Sequence, residues 1–278
     1  MTRFECRFLP LCAALALHAS MAASPASRIE RMYVFGDSYS DTGAGYLDGN
    51  GPTAVAYLAE RLGFRLFNST DPGASDRSLN FAVSGAGTGQ GSGTRIGGAL
   101  LGLGMQNQVD DFAERVHLGR LQFKPESTLF FIAGGLNDGE LPTETTVRHV
   151  KKEIRELYNA GGRRFTIALL PESIPDFSAV ARRLNPALAR IPDEIRGELS
   201  GASVTSNRWG LYFDEVLRDP GRYGIKNTTA KCAGRQIFHE DPTPCAHPET
   251  YFYYHAGHPS TAAHKVVGEK LFEELRGH

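Results

Sequence analysis

Along the chain, short apolar runs alternate with longer stretches in which apolar residues recur at helical spacing. Arg31-Met32-Tyr33-Val34-Phe35 is an apolar run halted at Gly36, and it predicts a buried strand. Val55, Leu58, Ala59 and Leu62 predict a helix over 53–62. Leu79–Val83 predicts a second strand, ended by Ser84-Gly85-Ala86-Gly87. Val109, Phe112, Ala113 and Val116 mark a helix over 105–118. Thr128–Ala133 is the clearest buried strand, broken by Gly134-Gly135, and a helix over 143–160 turns Val147, Val150, Ile154 and Leu157 inward. A further strand over 164–170 stops at Pro171. The charged stretch 177–218 reads as mostly helical, and a terminal helix covers 260–275. Strands alternating with helices of this length imply an α/β fold, a three-layer α/β/α sandwich around a central parallel sheet. In such sheets the ligand site lies beyond the carboxyl ends of the strands.

The first two dozen residues break this pattern. Arg3 and Arg7 precede an almost wholly apolar run from Leu9 to Ala19, and Ser20-Met21-Ala22 supplies small residues for cleavage. Spanning a bilayer takes about 20 apolar residues, so this shorter run reads as a secretory leader over 1–22, ahead of a single domain over 23–278. Secretion or a periplasmic location follows. Cys6 and Cys12 fall in the leader. Cys232 and Cys245 remain, and an oxidising compartment favours a disulfide between them over free thiols or half of a metal site.

The 278 residues are 41% hydrophobic and carry a formal net charge of -1, with no basic run longer than a pair. That balance gives nucleic acid no electrostatic purchase. A nucleotide fingerprint is absent from the glycine-rich stretch 85–104, because no register puts glycine at the required third position. That stretch reads as a surface loop.

Chemistry concentrates just after the strands. Gly36-Asp37-Ser38 follows the first and Ser84-Gly85 the second. Gly135-Leu136-Asn137-Asp138 follows the third, and His258-Pro259 opens the last helix. A serine hydroxyl, a backbone donor, a side-chain amide and a histidine at the ends of one sheet are the parts for acyl transfer: nucleophile, oxyanion hole and base.

These segments carry a family resemblance. Phe35-Gly36-Asp37-Ser38-Tyr39-Ser40-Asp41-Thr42-Gly43, Asn80-Phe81-Ala82-Val83-Ser84-Gly85-Ala86, Gly135-Leu136-Asn137-Asp138 and His258-Pro259-Ser260-Thr261-Ala262-Ala263-His264 occur in order. Together they resemble the blocks of the GDSL/SGNH hydrolase superfamily, most of all its secreted branch of lipases, phospholipases, thermolabile haemolysins and autotransporter esterases. The resemblance implies a flavodoxin-like SGNH fold and an esterase or lipase needing no cofactor. It implies Ser38 as nucleophile, His258 as base, and the Ser38 and Gly85 amides with the Asn137 side chain as oxyanion donors. Implied substrates are small-molecule or lipid esters, with transient contact with lipid surfaces.

The chain departs from the family at residue 255. The family places its triad aspartate three residues before the histidine; here the run is His255-Ala256-Gly257-His258. An aspartate there would fix the imidazole tautomer and stabilise the imidazolium. Three arrangements are open. The first is a Ser–His dyad with His255 or a backbone carbonyl orienting His258, on which His255→Asp would raise turnover. In the second, Glu240 or Asp241 enters the site. In the third, the fold is kept by a binding module or near-inactive pseudoenzyme. A metal-dependent hydrolase built on His239, His247, His255, His258, Cys232 and Cys245 is a further alternative, although the spacings match no closed zinc set.

Overall fold

The computed structural model describes residues 28–73 and 77–277, together with Met1. The leader expected over 1–22 lies outside the described residues. In chain order the elements begin with β1 (Arg31–Gly36), α1 (Ala54–Leu62), β2 (Leu66–Asn68) and β3 (Ser78–Asn80). A hairpin of β4 (Ser92–Ile96) and β5 (Ala99–Leu103) follows, then α2 (Met105–His117), β6 (Thr128–Ala133), α3 (Thr143–Asn159) and β7 (Arg164–Ala168). Next come α4 (Ser178–Leu188), α5 (Ile191–Ile195), β8 (Ser203–Asn207) and α6 (Trp209–Arg218). The chain closes with β9 (Asn227–Lys231), β10 (Tyr251–His255), β11 (His258–Pro259) and α7 (Thr261–Arg276).

Six strands form a parallel sheet in the order β2-β3-β1-β6-β7-β8. β1 and β6 are buried along nearly their whole length, which is why they read as unbroken apolar runs rather than alternating ones. Helices cover the sheet as two groups: α1 packs on α7 and α7 on α6, while α2 packs on α3 and α3 on α4 and α5. Tyr33, Phe35, Phe81, Phe112 and Phe130 join edge to face, tilted or stacked in the core around β1. The chain leaves β1 towards β2 and β3, then crosses back to β6 on the other side of β1. The carboxyl end of β1 is therefore the switch point at which open α/β sheets form their sites.

Three expectations needed correction. β8 interrupts the stretch read as helical over 177–218; Ser203-Val204-Thr205-Ser206-Asn207 is a polar edge strand with one aliphatic residue, so no apolar run announces it. The second strand is regular only over Ser78–Asn80, where the Asn80 Oδ1 takes the Ala82 amide at 3.0 Å, although the Phe81 and Val83 amides still donate to the Val34 and Gly36 carbonyls of β1 at 2.8 and 3.2 Å. The glycine-rich stretch contains the antiparallel β4–β5 hairpin. The other helices and strands expected from periodicity fall within a few residues of their observed positions, whereas periodicity does not announce β2, β9, β10 and β11.

Candidate active site

Ser38 lies two residues beyond β1, in a turn closed by Ser40 and Asp41 amides donating to the Asp37 carbonyl at 3.0 and 2.9 Å. The strand end is held closely. Gly36 pairs with Ala133 in register, and a Cβ on Gly36 would sit 2.5 Å from the Ala133 carbonyl oxygen, so only glycine fits. The Gln108 side chain of α2 grips the same residue, accepting from the Gly36 amide at 3.0 Å and donating to its carbonyl at 2.9 Å.

Asp41 organises the loop beyond. Its carboxylate accepts amides of Gly43 at 2.8 Å, Tyr46 at 2.9 Å and Ser84 at 2.8 Å, and also that of Gly45. One buried side chain thus ties the nucleophile loop to the turn bearing Gly85. Burial pushes the Asp41 carboxyl up, and these amides oppose that shift. Asn80 adds a second tie, donating to the Ser40 carbonyl at 2.6 Å and the Thr42 hydroxyl at 2.9 Å.

His258 approaches from β11, which pairs with β10 so that His255 and His258 are partners across the ladder. Its Nε2 lies 2.8 Å from the Ser38 Oγ, and the two residues are 9% and 7% exposed. Tyr39 packs its ring on His258 at 5.4 Å between centroids and donates its hydroxyl to the Gly257 carbonyl at 2.5 Å. Gly257 itself has φ +68.

Gly85 has φ +79, a conformation that suits glycine. Neither the Ser38 amide nor the Gly85 amide has an acceptor among the described residues. The exposed Asn137 donates from Nδ2 to the Ala86 carbonyl at 3.0 Å, in the chain just past Gly85. Asp138 next to it takes the Thr88 amide at 2.8 Å and the Thr88 hydroxyl at 2.7 Å, which docks the β6 turn on the Gly85 turn.

The His255 side chain makes no hydrogen bond to the His258 ring. Its Nδ1 bonds to the Asp48 Oδ1 at 2.6 Å, and the Asp48 Oδ2 stands 3.3 Å from the His258 Nε2. Arg235 donates from Nε to the Asp48 Oδ1 at 3.0 Å, and its Nη2 reaches the Ala256 carbonyl and the His258 Nδ1, both at 2.6 Å. The His258 Nδ1 also lies 2.9 Å from the Ala256 carbonyl. Burial pushes the Asp48 carboxyl up, but the hydrogen bond from His255 and the charges of His258 and Arg235 outweigh it and leave it below the ordinary range. Burial pushes His258 down, with Arg235 and His255 adding to the shift and Asp48 and the Ala256 carbonyl opposing it.

Glu240 and Asp241, which the second of the three arrangements would bring into the site, stay out of it. Glu240 pairs with Lys231 at 2.6 Å and takes the Arg235 amide at 3.2 Å, while Asp241 caps Thr243. Sequence reasoning missed Asp48, Arg235 and Gln108. Cys232 and Cys245 form a disulfide that closes the loop carrying Arg235. As cystine they offer no thiolate ligands, and no group of three or more His, Cys, Asp or Glu side chains among the described residues is arranged to hold a metal ion.

A buried serine with a neutral imidazole in hydrogen-bond reach, at a sheet switch point and beside free amides, defines a nucleophilic hydrolase site. The chain belongs to the GDSL-like lipase/acylhydrolase family, whose model matches residues 32–271, and it is a carboxylic ester hydrolase. A GDSL esterase/lipase of Arabidopsis thaliana, At5g45670, is 26% identical, with 81% of this chain and 76% of that protein covered. The thermolabile hemolysin of Vibrio parahaemolyticus is 23% identical over 91% of this chain and 65% of its own length. The structure of protein YXIM from Bacillus subtilis shares the fold with a TM-score of 0.51 at 13% identity, covering 89% of this chain and 56% of that one.

Proposed function

We infer that the protein is an exported serine esterase or lipase that works through an acyl-enzyme on Ser38. The observation that carries this reading is the 2.8 Å contact between the Ser38 Oγ and the His258 Nε2. The Ser38 oxygen bonds to the ester carbonyl carbon while its proton passes to Nε2, and the carbonyl π pair moves onto oxygen. The Ser38 and Gly85 amides, with the second Nδ2 hydrogen of Asn137, receive that oxyanion. Each such donor contributes roughly 3 kcal/mol of transition-state stabilisation. Collapse expels the alkoxide, which takes the proton from Nε2. Water then repeats the sequence on the acyl-enzyme, returning the acid and free Ser38.

Burial supports the base role, because a desolvated imidazole stays neutral and able to accept a proton near neutral pH. The Cys232–Cys245 disulfide and the apolar run over 9–19 support export. A chain-length series of nitrophenyl esters tests the activity and its acyl range together. Hydrolysis should peak at one chain length and vanish in Ser38→Ala; hydrolysis that survives in Ser38→Ala overturns the reading.

A further inference from the structure

In the family arrangement one aspartate does two jobs at the histidine: it fixes the tautomer through Nδ1 and supplies the negative charge for the imidazolium. Here His255 occupies its place and turns away from His258, towards Asp48. We propose that the two jobs are divided, with the Ala256 carbonyl fixing the tautomer and Asp48, from the loop beyond β1, serving as the charge partner and positioning residue of His258. This rests on the Ser38–His258 reading above.

The geometry separates the two roles by ring atom. Nδ1 faces one acceptor, the Ala256 carbonyl at 2.9 Å, and one donor, the Arg235 Nη2 at 2.6 Å; when it donates to the carbonyl, Nε2 is left bare to receive the Ser38 proton. Nε2 also faces the Asp48 Oδ2 at 3.3 Å. While the ring is neutral, that contact sets a lone pair against a carboxylate and is unfavourable. Once the Ser38 proton has arrived, the same contact sets an N–H of a cation against the carboxylate. The change favours the state formed during attack over the resting state, which is what accelerates a step. Asp48 itself stays ionised, held by the His255 Nδ1 at 2.6 Å and the Arg235 Nε at 3.0 Å.

Arg235 acts in the opposite sense. Its Nη2 stands 2.6 Å from the His258 Nδ1, where its charge and its hydrogens favour a bare Nδ1 and oppose the imidazolium. His258 therefore sits between a carboxylate at one nitrogen and a guanidinium at the other. The two are paired to each other, so each tempers the other. The remaining titratable groups facing the ring are His255 on β10, His264 on α7 and the Tyr39 phenol.

The test is the acidic limb of kcat/KM against pH, which reports the base of the free enzyme. In Asp48→Asn the limb should move to lower pH and kcat should fall roughly 10- to 100-fold, the size expected for losing one close, partly screened charge. In Arg235→Gln the limb should move to higher pH. Asp48→Glu, which keeps the charge, should bring the limb back towards wild type. Asp37, whose carboxyl is pushed up to about 7 by burial, is common to all these proteins and drops out of the comparison. Unmoved limbs, or limbs that move in the same direction in Asp48→Asn and Arg235→Gln, overturn the assignment. If Asp48→Asn does not fold, Arg235→Gln and Asp48→Glu still decide it by the same directions. Ser38→Ala separates the two claims: an inactive Ser38→Ala with unmoved limbs sinks Asp48 alone, whereas an active one sinks the Ser38 mechanism.

Discussion

At residue 255 the geometry reverses a sequence-based expectation. With His258 regarded as lacking any acid, His255→Asp should raise turnover. Asp48 now stands 2.6 Å from His255, so a carboxylate at 255 would face another carboxylate in a buried site. Two like charges that close cannot both stay ionised, and one is driven to its neutral form. We expect His255→Asp to lower kcat for a nitrophenyl ester, and the Asp48→Asn/His255→Asp pair to recover part of the loss. A single His255→Asp variant faster than wild type would contradict this. The residues proposed as nucleophile, base and oxyanion donors could be found in the sequence because each lies just past a strand or just ahead of a helix within a compact motif. Asp48 could not. It lies 207 residues before His255, in a glycine-bearing loop whose composition signals only a turn.

At the scale of elements, the central strands and the amphipathic helices were legible because burial imposes a period on the sequence. β8 and the β4–β5 hairpin were not, since edge strands and glycine-rich ribbons carry no such period. The disulfide loop belongs to this scale too. Cys232 and Cys245 bracket Arg235, and Gly234 donates to the Asp241 carbonyl at 2.7 Å across the loop. Closing a loop of this length is worth about 3 kcal/mol in the chain-entropy account. A Cys232→Ser/Cys245→Ser variant should lose stability of that order in denaturant unfolding. It should also shift the acidic limb upward, as Arg235→Gln does, because the loop no longer presses the guanidinium against His258. An unchanged limb in a folded double variant would show that the loop holds Arg235 without the bond.

For the whole molecule, two buried groups set opposing trends in stability with pH. Asp37 is buried beside Ser38, with its Oδ1 taking the Tyr39 amide at 3.1 Å and its Oδ2 unpartnered among the described residues; burial pushes its carboxyl from 3.8 up to about 7. A raised acid binds its proton in the fold, so its contribution is full below pH 4 and is lost as pH rises to about 7. His264 joins α7 to α1 by accepting the Ala54 amide at 3.1 Å, and burial pushes it down to about 3. A depressed base gives the reverse: its contribution is present above about 6.5 and is lost as pH falls towards 3. In Asp37→Asn the first trend disappears. The variant should gain melting temperature relative to wild type at pH 8 and lose that advantage by pH 4. A gain independent of pH would contradict the burial account of Asp37.

The central claim is that Ser38 carries the acyl group. Intact-mass and peptide analysis of enzyme quenched during turnover of a slow ester tests it most directly. The account predicts an added acyl mass confined to the peptide bearing Ser38, absent in Ser38→Ala. An acyl group found on another residue, or steady hydrolysis by Ser38→Ala with no adduct at all, would contradict it.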